Sequence, residues 1–77
     1  MAGKPYNGHP SWNAWNVALW IGNDEGLYHA AVEAKRKGKG RYVRAFRELT
    51  GLASHEKTPD GATYSDNSVL LAIRGIE

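Results

Sequence analysis

Apolar and polar positions alternate along this chain with a helical period, and the densest apolar segment is Ser11-Trp12-Asn13-Ala14-Trp15-Asn16-Val17-Ala18-Leu19-Trp20-Ile21. At about 100° per residue, Trp12, Trp15 and Leu19 fall on one side of a helix. Ala14, Val17, Ala18 and Ile21 fall on the other, and only Asn13 and Asn16, with Trp20 beyond them, interrupt the apolar circumference. A helix apolar nearly all round is a buried helix, so this segment is expected to be the central rod on which the others pack. Ser11 is its expected N-cap, and Gly22 is the expected left-handed residue just past its end.

A second helix starts at once. Asn23 or Asp24 can cap it, and Asp24 and Glu25 place negative charge on the positive end of its dipole. Leu27, Ala30, Ala31 and Ala34 share one face, flanked by Tyr28 and Val32. Gly26 in the first turn costs about 1 kcal/mol relative to Ala. The helix is expected to stop near Lys37, before Gly38-Lys39-Gly40. In the third helix Tyr42, Phe46 and Leu49 form the inward stripe, with Arg41, Arg44 and Arg47 on the opposite face and Gly51 as the stop. Residues 52–66 read as a loop built around the turn Thr58-Pro59-Asp60-Gly61. A short extended piece follows, with Tyr64 docking on the core. Asp66 is the expected cap of a last helix over residues 67–75, whose stripe is Val69, Leu70, Ile73 and Ile76; a strand is the alternative for so short an apolar run. The expected fold is all-α: one compact domain of three or four short helices over residues 11–77. An extended Gly/Pro/Asn-rich arm, residues 1–10, precedes it, with Tyr6 and His9 packing back on the core.

With 77 residues the chain is one domain near the lower size limit for a self-sufficient core. It has no cysteine, so neither a disulfide nor a thiolate metal site supplements that core. No apolar run is long enough to span a membrane, and the first residues lack the apolar stretch of a secretory signal; a soluble cytoplasmic protein is expected.

Charge changes the picture through its distribution. Lys35, Arg36, Lys37, Lys39, Arg41, Arg44 and Arg47 are seven of the ten cationic residues, in a stretch without a carboxylate. Such a patch suits nucleic-acid phosphates or an acidic protein face, and a solvated charged surface is the plain alternative. Asn13 and Asn16 occupy the least apolar strip of the first helix. They are either structural amides bonded to loop backbone, with the Tyr6-Asn7-Gly8 arm as one source, or part of an exposed aromatic–polar patch with Trp12 and Trp20.

Catalytic chemistry is not expected. His9, His29 and His55 lack metal-type spacing, and adjacent Asp24 and Glu25 diverge by about 100° on a helix. Ser11, Ser54, Ser65 and Ser68 have no nucleophile-elbow context, and the glycine spacings lack a phosphate-loop setting. No cofactor is expected.

Tyr6-Asn7-Gly8, followed by Trp15-Asn16-Val17-Ala18-Leu19-Trp20-Ile21-Gly22-Asn23-Asp24-Glu25-Gly26-Leu27-Tyr28, resembles a small family of uncharacterised phage and prophage proteins. Thr58-Pro59-Asp60-Gly61-Ala62-Thr63-Tyr64-Ser65-Asp66 resembles a later block of the same family. The chain departs from the family at Asn13-Ala14, where many relatives carry Glu-Thr, and at His9, where many carry an aromatic. The resemblance implies a phage origin and transfers no functional residue. With the basic run, it implies a small non-enzymatic binding protein acting in the host cytoplasm. The expected role is a stoichiometric inhibitor of a host defence complex, of anti-CRISPR or anti-restriction type. Its expected partner is a host protein or ribonucleoprotein complex. The alternatives are a nucleic-acid-binding accessory protein and a virion or assembly component.

Overall fold

The computed structural model describes residues 8–76 and shows an all-α domain of four helices. In chain order they are α1 (Trp12–Asn23), α2 (Glu25–Arg36), α3 (Tyr42–Thr50) and α4 (Asp66–Arg74), with a single 3-10 turn, Lys39–Arg41, between α2 and α3. The expected arm lies mostly in residues 1–7, outside the described residues; His9 is half-buried.

The caps explain the boundaries. Ser11 Oγ accepts from the Ala14 N–H at 3.1 Å and starts α1. Asp24 does two jobs. Its backbone N–H closes α1 on the Trp20 carbonyl at 2.9 Å, and its Oδ1 accepts from the Leu27 N–H at 3.0 Å to open α2. The two helices are therefore joined through one extended residue. Gly22, expected as a left-handed stop, lies inside α1 instead, because Asp24 already terminates the helix. Gly51, by contrast, takes φ 75° and ends α3 as expected. The last segment is a helix, and its cap is Ser65 rather than Asp66: Ser65 Oγ accepts from the Ser68 N–H at 3.3 Å, leaving Asp66 in the first turn.

α1 is not the central rod: α2 and α4 each pack against the other three helices, whereas α1 and α3 do not meet. Ala30, Ala31 and Ala34 are all buried, and side chains that small let neighbouring backbones come close. The core on either side is Phe46, Ile21, Ile73, Val17 and Val69. The expectation that α1 is buried all round fails at its tryptophans. Trp12 is 42% exposed and Leu19 37%, while Trp15 and Trp20 are half-buried. The inward face is the leaner one, Ala14, Val17 and Ile21, together with buried Asn16. Leu49 is on the inward stripe of α3 by spacing, yet it is 54% exposed, because α3 ends at the next residue and the chain turns away at Gly51.

Residues 52–65 are a folded loop rather than a slack one. The Gly61 N–H donates to the Thr58 carbonyl at 2.9 Å, and Gly61 takes φ 97°, completing the expected turn. Its two arms pair through an antiparallel bridge between Lys57 and Thr63, and the Tyr64 N–H reaches the Glu56 carbonyl at 2.9 Å. Tyr64 and Ala62 dock on the core as fully buried residues. Burial, followed by the nearby Asp24 carboxylate, pushes the Tyr64 phenol above its ordinary value of 10.0.

Candidate functional site

Two side-chain groups carry the chemistry singled out in the sequence: the amide strip of α1 and the basic run. The amide strip faces inward. Asn13 Oδ1 accepts from the Thr63 N–H at 2.8 Å and from Thr63 Oγ1 at 3.3 Å, while its Nδ2 donates to the Thr63 carbonyl at 2.9 Å and to Ser68 Oγ at 2.7 Å. One amide thus takes both backbone groups of Thr63, as a neighbouring strand would. Asn16 is buried; its Oδ1 accepts from Thr58 Oγ1 at 2.6 Å and its Nδ2 donates to Asp60 Oδ2 at 2.9 Å. The same carboxylate oxygen accepts from Trp20 Nε1 at 2.9 Å. The loop that receives these amides is 58–63; the Tyr6-Asn7-Gly8 arm lies outside the described residues. Of Trp12, Asn13, Asn16 and Trp20, only Trp12 is exposed. The four do not form one open patch, because the Asn13 amide is fully engaged and Asn16 is buried.

The basic run divides in two. Three of its seven residues are engaged. Lys35 Nζ donates to the carbonyls of Arg74 and Ile76, so it caps the C-terminal end of α4, where a cation complements the helix dipole. Arg47 reaches the other way. Its guanidinium donates to the Leu52 carbonyl at 3.2 Å, to the Tyr64 carbonyl at 2.8 Å and to Asp66 Oδ1 at 2.5 Å, pinning the folded loop to α3 and α4. It therefore does not share an outer face with Arg44. Arg36 forms an exposed ion pair with Glu33 at 3.4 Å.

Lys37, Lys39, Arg41 and Arg44 are exposed, and their side chains have no hydrogen bond or ion pair among the described residues. The end of α2, Gly38 at φ 103° and the 3-10 turn hold them at one corner of the molecule. Lys37, Arg41 and Arg44 line an open concavity of about 250 Å³ with Ala45 and one carboxylate, Glu48. On the other side of the turn, a second concavity of about 350 Å³ is lined by Lys39, Gly40, Tyr42, Leu70 and Arg74. Arg74 is the residue missed by sequence reasoning. It stands far along the chain from the basic run, and the fold of α4 against α2 brings it to the same corner. A cation in the last turn of a helix is accounted for by the helix dipole alone, so its place in α4 gives no sign of this neighbourhood.

Among the described residues, no group of three or more His, Asp or Glu gathers as a metal ion would need, and no helix is long and apolar enough to cross a membrane.

The chain belongs to a family of unknown function (DUF7249), whose model matches residues 2–77. No curated protein and no solved structure matches it significantly.

Proposed function

We propose that this member of the family is a small, phage-encoded, non-enzymatic binding protein. It inhibits a host defence complex, of anti-CRISPR or anti-restriction type, by covering an anionic face of it in the host cytoplasm. The observation that carries the reading is the division of the basic run. Arg47 and Lys35 are consumed in holding the fold, whereas Lys37, Arg41 and Arg44 share one open concavity without a hydrogen bond or ion pair among the described residues. Three free cations at one corner steer an acidic surface into contact and fix its orientation. Glu48 in the same concavity favours a protein face over a bare phosphate backbone, because it would repel phosphate and can pair with a partner's cation.

Affinity capture from host lysate treated with nuclease is the test. The expected result is one host complex recovered in stoichiometric amount by the wild-type chain and lost with the Lys37→Ala/Arg41→Ala/Arg44→Ala variant. Recovery that depends on intact nucleic acid would instead support the second reading, an accessory nucleic-acid-binding protein. That reading draws on the free cations Lys39 and Arg74 across the turn. It predicts affinity that falls steeply with salt.

A further inference from the structure

We infer that the concavity between the 3-10 turn and the end of α4 is a binding site for a phosphate group, free or carried by a nucleotide. This inference does not rest on the partner reading above. At about 350 Å³ the concavity is at the small end of ligand sites, and it is lined by Lys39, Gly40, Tyr42, Leu70 and Arg74. Among the described residues, no carboxylate lines it. Lys39 and Arg74 arrive from distant parts of the chain, and neither side chain has a hydrogen bond or ion pair among the described residues. Two cations facing one hollow repel each other, and an anion between them turns that repulsion into two attractions.

Tyr42 is the more telling wall. The residue is only 6% exposed, so its ring is part of the core. Its hydroxyl has no hydrogen-bond partner among the described residues, yet no buried side-chain nitrogen or oxygen there is left unpaired. The oxygen therefore reaches solvent, and Tyr42 is one of the residues that line the concavity. An ammonium and a guanidinium that line one hollow are donors only, and the phenol of Tyr42 can add a further O–H donor. Lys35 completes the arrangement: by taking the carbonyls of Arg74 and Ile76, it covers the C-terminal oxygens of α4 that would otherwise repel an anion. Phosphate fits this set, because its tetrahedral oxygens can accept from the planar guanidinium, the point-charge ammonium and the phenol together. Leu70 leaves an apolar wall for the remainder of a nucleotide.

The test is an amide-resolved NMR titration of the full chain at fixed ionic strength, with inorganic phosphate in one arm and adenosine 5′-monophosphate in the other. Saturable shifts are expected at Lys39, Gly40, Tyr42 and Arg74. Arg74→Ala is expected to weaken binding about tenfold or more, as loss of a charge-assisted hydrogen bond does. Tyr42→Phe keeps the ring in the core and is expected to weaken binding by about fivefold. Lys57→Ala, a cation outside the concavity, is expected to change nothing. Tighter binding in the nucleotide arm identifies a nucleotide as the source of the phosphate, and equal binding identifies the free ion. The inference is overturned by the absence of saturable shifts in both arms, or by Lys57→Ala weakening binding as much as Arg74→Ala. Loss of host-complex capture alone would leave it standing.

Discussion

Asn16 shows how a polar residue can organise a small core. It is buried between α1 and the loop, with both ends of its amide used. Asn16→Ala leaves the Thr58 hydroxyl without its acceptor and removes one donor from Asp60, a cost of about 2–3 kcal/mol. In a domain of this size that lowers the melting temperature by roughly 10–20 °C. Trp12→Ala, on the outer side of the same helix, should cost about 1–2 kcal/mol, because nearly half of its surface already lies in solvent. Thermal unfolding followed by circular dichroism would measure both, and a larger loss for Trp12 would restore the fully buried helix. Asp60 adds a pH dependence. Hydrogen bonds from Asn16 and then Trp20 hold its carboxyl below the ordinary value of 3.8. A depressed folded-state value means that the contribution is present above the unfolded value and is lost as pH falls through the folded one. Urea midpoints should therefore fall between about pH 5 and pH 2.5 more for the wild type than for Asp60→Asn. Other carboxylates contribute equally to both proteins, so equal falls would remove Asp60 from the account.

At the scale of elements, glycine separates two kinds of helix end. Gly51 closes α3 at φ 75°, a conformation that costs a residue with a Cβ about 1–2 kcal/mol. Gly22 lies within α1, and a Cβ there meets nothing within 4 Å. Gly51→Ala should therefore destabilise the domain, while Gly22→Ala should stabilise it by roughly 0.5–1 kcal/mol. Opposite signs in parallel urea titrations are the expected outcome; matching signs would contradict the assigned end of α1. The two glycines also mark what the pattern of residues could convey. Four helices, the cap at Ser11, the break after Lys37, the stop at Gly51 and the turn at Gly61 all follow from local chemistry, and local chemistry is legible in a sequence. The inward side of α1 was not legible. Its circumference is apolar on both sides, and what orients it is distant: Thr63 and Thr58 need the Asn13 and Asn16 amides. Arg47 was assigned outward for the same reason, since the carbonyls of Leu52 and Tyr64 that turn it inward belong to a loop whose course is set by tertiary contacts.

At the scale of the whole molecule, charge serves cohesion and recognition through different residues. Arg47 ties α3, the loop and α4 together through three bonds, and Arg44, three residues earlier, has none among the described residues. A substitution that treats the basic run as one surface would confuse unfolding with loss of binding. Arg47→Met keeps much of the aliphatic stem but strands two carbonyls and Asp66, at a cost of about 1–3 kcal/mol. It should also speed amide exchange across residues 52–65, because that loop loses its anchor to α3. Arg44→Ala should leave stability within about 0.5 kcal/mol of wild type, as surface changes away from caps and cores do. Combined with Lys37→Ala and Arg41→Ala, it should abolish capture of an anionic partner while the melting temperature stays nearly unchanged. Hydrogen exchange and thermal unfolding on the two variants test the division directly. If Arg47→Met left the loop as protected as before, or if the triple variant lost the fold along with the partner, the corner at the end of α2 would not be a surface separable from the scaffold.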